Sequence, residues 1–368
     1  MYYREAGRLV SSFAKDRRML PLVQDRFIAT LFIVVVMYGV VTMIASDYWF
    51  SAILIPMMVL AIATLGLNIA TGYTGQLSLG TAGFMCFGAF AAFNLLLRID
   101  WMIIPLAFFL AGVIAGIVGV FFGLPSLRIK GFYLIVSTLA AQFFAEWVFN
   151  AYPWFLDYNS SGVANLPPHH YRVFPFQNMT PLNDAFWHTY QGRYLITLTV
   201  TLLLAIACKN MVRSSTGRNW MAVRDMDIAA NVIGISVAKT KLMAFFISTF
   251  YCGVAGAMYC YCYIGNIDFM IFNLRRSFLV MFMVIVGGLG SILGSFLGAI
   301  FVYGWPILIT RLGDAIFGGG TLDTAFVENN SKIVVGTIII VLLIREPGGF
   351  AALWNTTKQK LRAWPFTK

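Results

Sequence analysis

The residue types that could do chemistry are few and scattered in this sequence. His169, His170 and His188 are the only histidines, and none has a carboxylate or cysteine at a metal-binding spacing. Cys260 and Cys262 have no second Cys/His pair that would complete a zinc site. No nucleophile–base pair, Walker lysine motif or G-x-S-x-G elbow is present. We therefore expect no catalytic residue, no metal, no cofactor and no ATP hydrolysis within this chain.

The composition points instead to a membrane protein. The 368 residues are 60% hydrophobic and only 11% charged, whereas soluble domains carry about 25% charged residues. This excludes a soluble enzyme, a nucleic-acid binder and a disordered tail. Apolar runs of about 20 residues must satisfy their own backbone groups in lipid, which favours helices. The expected fold is all-α, a polytopic helical membrane protein.

Ten apolar runs are candidate membrane spans. They are 27–45, 50–70, 77–97, 103–123, 132–150, 194–210, 241–263, 277–289, 293–310 and 326–344. The run 277–289 is too short to span at about 1.5 Å per residue unless irregular backbone assists it.

The distribution of Lys and Arg predicts the orientation. If both termini lie in the cytoplasm, most basic residues fall on the inner side, as the positive-inside rule requires. The predicted organisation follows from this orientation. It comprises a cytoplasmic N-terminal segment 1–26, a transmembrane domain 27–344 with an outer loop 151–193 and a cytoplasmic loop 209–241, and a cytoplasmic tail 345–368.

Two glycine-rich breaks interrupt the apolar runs in opposite halves of the chain. Paired interruptions of this kind are typical of transporter pathways, because glycine lets a helix stop and the freed backbone groups need partners. Close helix packing is the alternative explanation. The residues assigned to a translocation pathway are Asn68, Gly72, Gly75, Gln76, Ser78, Gly80, Gly287, Gly288, Gly290 and Ser291.

The cytoplasmic loop contains an amphipathic pattern over 215–234. Asp227 falls on its apolar stripe and could pair with Arg224 three residues earlier. The helix could lie on lipid, dock in a partner's groove or stay solvated, and the carboxylate favours a partner. At 100° per residue on a single helix, the members of the stripe are Trp220, Val223, Met226, Ala230 and Ile233.

Two arginines lie just outside the eighth run. Arg275 and Arg276 could reach lipid headgroups or acidic groups on an extracellular partner.

Four stretches of the sequence resemble one family, the LivM-type permeases of branched-chain amino-acid ABC transporters. Residues 66–80 (GLNIATGYTGQLSLG) resemble its second-to-third span signature, and 127–139 its next inner loop and span. Residues 217–234 are similar to its ATPase-coupling loop, and 286–291 to its later glycine-rich segment. The chain departs from the family at Thr81, where members usually carry His, and at 159–162, where a glycine-rich patch is thinned.

The resemblance implies a permease subunit of an ABC importer in the bacterial inner membrane. Its partners would be a second homologous permease, two ATP-binding subunits and a periplasmic binding protein, with no nucleic acid. The binding protein would dock at Arg275 and Arg276. The coupling residues implied are Gly217, Arg218, Trp220, Ala222, Arg224, Asp225, Asp227, Ala230 and Gly234.

The resemblance implies branched-chain or other hydrophobic amino acids as substrates. Urea or short amides and carboxylates are the alternative within the class. A stand-alone channel or ion-coupled carrier is the alternative of another class, but the span interiors lack a convincing charge or proton relay.

Overall fold

The structure is a computed structural model that describes residues 37–39, 41–99, 101–128, 133–159, 162–166, 189–317 and 348–363, with isolated positions between 333 and 344. The predicted N-terminal segment, most of the runs 27–45 and 326–344, and all three histidines lie outside the described residues. The chain forms two units, Met1–Trp49 and Phe50–Lys368. Within the first unit, the described residues include one helical turn, Val41–Ile44.

Six described helices are long and apolar enough to cross a membrane. Three of them form the buried centre of the second unit: α1 (Trp49–Tyr73), α2 (Thr81–Arg98) and α8 (Val237–Ile264). The other three cover this centre and expose most of their surface: α3 (Ile104–Arg128), α4 (Tyr133–Ala151) and α5 (Tyr190–Val212). The prediction of a polytopic helical fold is confirmed, and the described residues do not test the count of ten spans.

Glycine allows the three central helices to approach closely. A Cβ on Gly88 of α2 would overlap the backbone of Gly253 of α8. On α1, a Cβ on Gly66 would lie 2.8 Å from the carbonyl oxygen of Ser248. Small residues drive helix association in lipid because they let backbones come into van der Waals contact.

The third predicted span begins later than expected. The run 77–97 corresponds to α2, but the helix starts at Thr81, and residues 75–80 are not helical. The backbone turns just after α1 at Gly75, whose φ is 70°, and the N–H of Gln76 then donates to the carbonyl oxygen of Ala70. A glycine tolerates this left-handed conformation where other residues are strained.

Two short helices lie between α5 and α8, where a single amphipathic helix was predicted. They are α6 (Ser215–Asp225) and α7 (Asp227–Val232). Met226 between them is extended (φ −152°, ψ 99°). The prediction of a single helix with one continuous apolar stripe is therefore wrong, because the extended Met226 ends α6 and changes the direction of α7.

The last described helices are α9 (Leu274–Gly287), α10 (Ile292–Phe317) and α11 (Gly349–Ala363). Helix α9 has 14 residues, too few to cross about 30 Å of hydrocarbon at about 1.5 Å per residue. Asn273 caps its start, because the Oδ1 of this residue accepts a hydrogen bond from the N–H of Arg276 over 3.2 Å.

A small two-stranded sheet joins the loop after α4 to the loop after α8. A 3-10 turn, Pro153–Leu156, is followed by β1 (Val163–Asn165), which pairs antiparallel with β2 (Asn266–Asp268). A second 3-10 turn, Phe269–Phe272, leads into α9.

The first of these loops also packs on the end of α2. The guanidinium of Arg98 lies 3.5 Å from the ring centroid of Trp154 and donates to the carbonyl oxygen of that residue over 2.9 Å. The described part of the predicted outer loop therefore folds back on its own chain.

Candidate functional site

The side chain of Asn68 connects the two glycine-rich breaks. Its Nδ2 donates to the carbonyl oxygen of Ser291 over 2.9 Å and to the Oγ of Ser295 over 2.8 Å, and its Oδ1 accepts from the N–H of Gly290 over 2.8 Å. Asn68 is buried near the end of α1. Since a buried amide is costly to leave unpaired, these bonds hold the end of α1 against the turn between α9 and α10.

Gly72 and Gly290 make this contact possible. A Cβ on Gly72 would overlap both the Oδ1 of Asn68 and the backbone nitrogen of Gly290. Gly290 has a φ of 74°, a conformation that other residues rarely adopt. The two breaks predicted from the sequence therefore meet backbone to backbone.

Arg224 on α6 lies over this junction. Its Nη1 donates to the carbonyl oxygen of Gly72 over 2.9 Å. A Cβ on Gly290 would lie 3.4 Å from the same Nη1, so the guanidinium that is bonded to the first break also lies next to the second. Arg224 also pairs with its neighbour Asp225 over 2.9 Å, whereas the sequence predicted a pair with Asp227.

A second link joins the short helices to α8 and to the first break. The carboxylate of Asp227 lies 3.9 Å from the Nζ of Lys241. The Nε2 of Gln76 donates to the carbonyl oxygen of Lys241 over 3.1 Å. Asp227 therefore has a cationic partner within its own chain, and the argument that its carboxylate requires an external partner no longer holds.

The short helices present an apolar surface that the described chain does not cover. Trp220, Val223 and Ala230 are buried against the chain itself. Because Met226 breaks the helix, the apolar side chains of this loop divide into a buried set and an exposed set. The exposed set is exposed by 70% or more, and we call it the apolar patch: Met226, Ile228, Val232 and Ile233.

Of the remaining predicted coupling residues, some are buried against the chain and others are exposed. Gly217 packs against the carbonyl of Val212, where a Cβ would overlap it. Arg218 is exposed, Ala222 is half-buried, and the exposed Gly234 follows α7 with a φ of 89°. The coupling residues that are buried can position these helices but cannot touch another molecule while they remain buried.

The second break is a tight turn and not a second unwound segment. Gly287 and Gly294 approach so closely that a Cβ on either would overlap the carbonyl oxygen of the other. Gly288 (φ 111°) packs against the start of α11, where a Cβ would lie 2.5 Å from the carbonyl oxygen of Gly348. Close packing therefore requires these glycines, as the alternative explanation of the breaks expected.

A polar network at the start of α2 was not predicted from the sequence. The N–H of Ala82 donates to the Oγ of Ser277 over 2.8 Å, and the N–H of Gly83 donates to the Oε1 of Gln142. Just before the helix, the N–H of Leu79 donates to the Oγ1 of Thr138 over 3.1 Å. Side chains from α4 and α9 therefore satisfy the backbone groups on both sides of this helix start.

Gln142 is the centre of this network. Its Nε2 donates to the carbonyl oxygen of Phe272 and to the Oε1 of Glu146. Polar residues in the middle of an apolar helix were the only sequence signal for it. The buried Oγ1 of Thr81 has no hydrogen-bond partner in the described part of the chain.

The two arginines assigned to docking differ in their surroundings. Arg275 is exposed, whereas the guanidinium of Arg276 lies 4.3 Å from the ring centroid of Tyr259 on α8. A cation over a tyrosine ring is attracted to its negative face, so Arg276 is held by its own chain. Within the residues that the structure describes, no group of three His, Cys, Asp or Glu residues could hold a metal ion.

Comparisons with known proteins agree with one another. A family model for the permease component of the branched-chain amino acid transport system matches residues 49–343. The high-affinity branched-chain amino acid transport system permease protein LivM of Escherichia coli is 28% identical over 310 residues, which cover 79% of this chain and 67% of that protein. The Salmonella typhimurium protein of the same name is 27% identical over the same shares. No solved structure matches the chain.

Proposed function

Because the chain belongs to the family of branched-chain amino acid transport permease components, we propose that it forms half of the translocation pathway of an ATP-driven importer in the bacterial inner membrane. The other half would be a second, homologous permease. Two ATP-binding subunits would dock on the cytoplasmic side, and a periplasmic protein would deliver the solute. ATP hydrolysis would occur in the separate subunits.

The observation that carries this proposal is the apolar patch on α7 and the residues that flank it, Met226 and Ile233. Exposed clusters of large apolar residues mark interaction surfaces. The patch lies beside a short helix whose Arg224 is hydrogen-bonded to the first helix break. A short helix with an apolar surface fits a groove in a soluble partner. Movement of that partner would then reach Gly72 and Gly290 through a hydrogen-bonded side chain.

A paired substitution tests the coupling role. The double variant Ile228→Glu and Val232→Glu places two charges on the apolar patch, so ATP-binding subunits should no longer co-purify with the permease. Met270→Glu is the matched control, because Met270 is similarly exposed but lies just before α9, away from α6 and α7. If the ATP-binding subunits remain bound to the double variant, the patch is not their docking site.

We further propose that the solutes are branched-chain or other hydrophobic amino acids. The names of the two LivM relatives support this class. Uptake of labelled leucine by the assembled importer, with and without excess isoleucine, valine or urea, measures the preference. Competition by urea but not by isoleucine would assign the alternative class of urea and short amides.

The glycine-rich breaks would be the part of the permease that moves. The junction of Asn68 with Gly290 and Ser291 joins α1 to the α9–α10 turn, and a shift of α6 would act on it directly.

Arg275 is the proposed contact for acidic groups of the binding protein, because it is exposed at the start of α9. Arg275→Glu should weaken the stimulation of ATP hydrolysis by that protein. Arg98→Glu provides a comparison, since Arg98 contacts Trp154 of its own chain. Equal stimulation of the wild type and the Arg275 variant would contradict this contact.

Liposomes separate this proposal from a channel or an ion-coupled carrier. Purified permease alone, without ATP-binding subunits, should give no leucine flux above empty liposomes. Flux by the chain alone, or flux driven by an ion gradient, would favour the carrier. The cytoplasmic placement of both termini can be measured in the same vesicles by protease access to terminal tags.

A further inference from the structure

The non-helical segment 75–80 lies within the membrane-spanning part of the chain. It begins beside the start of α8, where Gln76 bonds the carbonyl of Lys241. It ends at the start of α2, where the first N–H groups of the helix bond to Ser277 and Gln142. Gln142 lies in the middle of α4, a 19-residue membrane-spanning helix.

The depth of the segment follows from these two ends. A spanning helix has its middle residue near the centre of about 30 Å of hydrocarbon. The segment therefore connects one surface of the bilayer to its middle. A non-helical chain of this length reaches roughly 20 Å at full extension, which is sufficient for that distance.

One side of the segment is packed and the other is open. Gln76, Ser78 and Gly80 are buried, whereas Leu77 exposes 49% of its surface and Leu79 is half-buried. In the described part of the chain, the N–H groups of Leu77 and Ser78 have no hydrogen-bond partner.

Lipid cannot be the neighbour of this open side. Irregular backbone at membrane depth is tolerated only where it is covered by protein or lines a water-filled cavity, because each unpaired backbone group is costly in hydrocarbon. By contrast, an exposed helical residue such as Ile117 of α3 can face lipid, since its backbone is paired within the helix.

We propose that the open side of segment 75–80 lines the water-filled route of the solute, with Leu77 in contact with the solute's apolar side chain. This rests on the function proposed above and identifies which residues of the first break face the solute. The N–H of the exposed Leu77, which has no partner among the described residues, can bind water or a carboxylate. A leucine side chain next to an exposed backbone donor suits a solute that carries both an apolar side chain and a carboxylate.

Thiol labelling tests the proposal directly. All five native cysteines are buried, so Leu77→Cys adds one thiol of high accessibility to a weakly reactive background. In the assembled importer, a charged methanethiosulfonate reagent should modify Leu77→Cys, and excess leucine should slow the reaction severalfold. Ile117→Cys, at a position that is 60% exposed on α3, is the matched control and should react slowly at any leucine concentration.

Two results would overturn the proposal. Absence of labelling at Leu77→Cys would mean that the second permease covers this side, and labelling that leucine does not slow would mean that solute does not pass there. Leu79→Cys provides a second variant should assembly of the first be impaired. If wild-type importer fails to take up leucine with ATP, the proposed function itself is wrong, independently of the labelling.

Selectivity gives a second readout. Leu77→Ala should raise the uptake of phenylalanine relative to leucine, because it enlarges the space next to the solute's side chain. An unchanged ratio, with normal assembly, would contradict contact between Leu77 and the solute.

Discussion

The guanidinium of Arg224 donates a hydrogen bond to the carbonyl oxygen of Gly72 across 2.9 Å. These residues are far apart in sequence, one on a short helix between spans and the other at the end of α1. The bond satisfies a carbonyl at a helix end, where the last carbonyls have no partner within the helix. It also connects the proposed docking helices directly to the first helix break.

Arg224→Ala should uncouple ATP hydrolysis from transport. A hydrogen bond to a charged group contributes about 1.5–3 kcal/mol, so we expect roughly a tenfold or larger loss of leucine uptake per ATP hydrolysed. Assembly should persist, since the apolar patch is unchanged. The measurement is the ratio of uptake to phosphate release in proteoliposomes. Lys239→Ala, an exposed basic residue on α8, should leave the ratio unchanged, and an equal loss there would refute a specific role for Arg224.

Asn68→Ala should destabilise the junction of the two breaks. It removes three hydrogen bonds and leaves the N–H of Gly290 without its acceptor, while the Oγ of Ser295 keeps only its bond to the carbonyl oxygen of Ser291. Each buried group left unpaired costs about 1–3 kcal/mol, so the melting temperature in detergent should fall by several degrees. Thr199→Val is the control, since it removes an exposed hydroxyl that bonds the Leu195 carbonyl of its own helix. A similar fall there would show that the effect is not specific.

Gly88→Ala should impair folding, because the added Cβ overlaps the backbone of Gly253. Overpacking of this kind costs about 1–3 kcal/mol, and backbone atoms cannot rotate away. Gly304→Ala on α10 is the matched control, since nothing lies within 4 Å of its added Cβ. We expect lower membrane yield and earlier melting for the first variant only. Equal behaviour of the two variants would contradict the α2–α8 contact.

Gln142→Leu should weaken the start of α2. It deletes the acceptor of the Gly83 N–H and the donor to the Phe272 carbonyl, so two backbone groups lose their partner. A loss of about 2–4 kcal/mol in unfolding free energy is expected, together with faster amide exchange at Gly83. Asn150→Leu, at an exposed position of the same helix, should change neither measurement. Unaltered exchange in the Gln142 variant would show that its side chain does not hold this helix end.

Some parts of the fold and site were predictable because they depend on local sequence pattern. Continuous apolar runs predict spanning helices, since lipid offers the backbone no hydrogen bonds. The glycines at 72, 75, 287 and 290 predict two breaks, since glycine readily adopts conformations that end a helix. The family resemblance was carried by these same stretches.

Other parts depend on which residues meet in space. Periodicity placed Met226 on the buried stripe of one helix, but the residue is extended and exposed. Asp227 was paired with the near residue Arg224, whereas its carboxylate lies beside Lys241 of α8. The i, i+3 and i, i+4 rule predicts only pairs of side chains on the same helix. It cannot predict that the cation beside Asp227 comes from another helix.

The sequence by itself determined that the chain is a helical membrane protein with two glycine-rich breaks and an amphipathic loop, because hydrophobicity and glycine act locally. Only the tertiary structure decided that the breaks meet at Asn68, that Arg224 reaches both of them, and that segment 75–80 is open on one side. The reason is physical. Each apolar segment forms a helix in lipid independently of the others, because its backbone must bond within itself. Contacts between helices depend on close packing and hydrogen bonds between residues that are distant in the sequence.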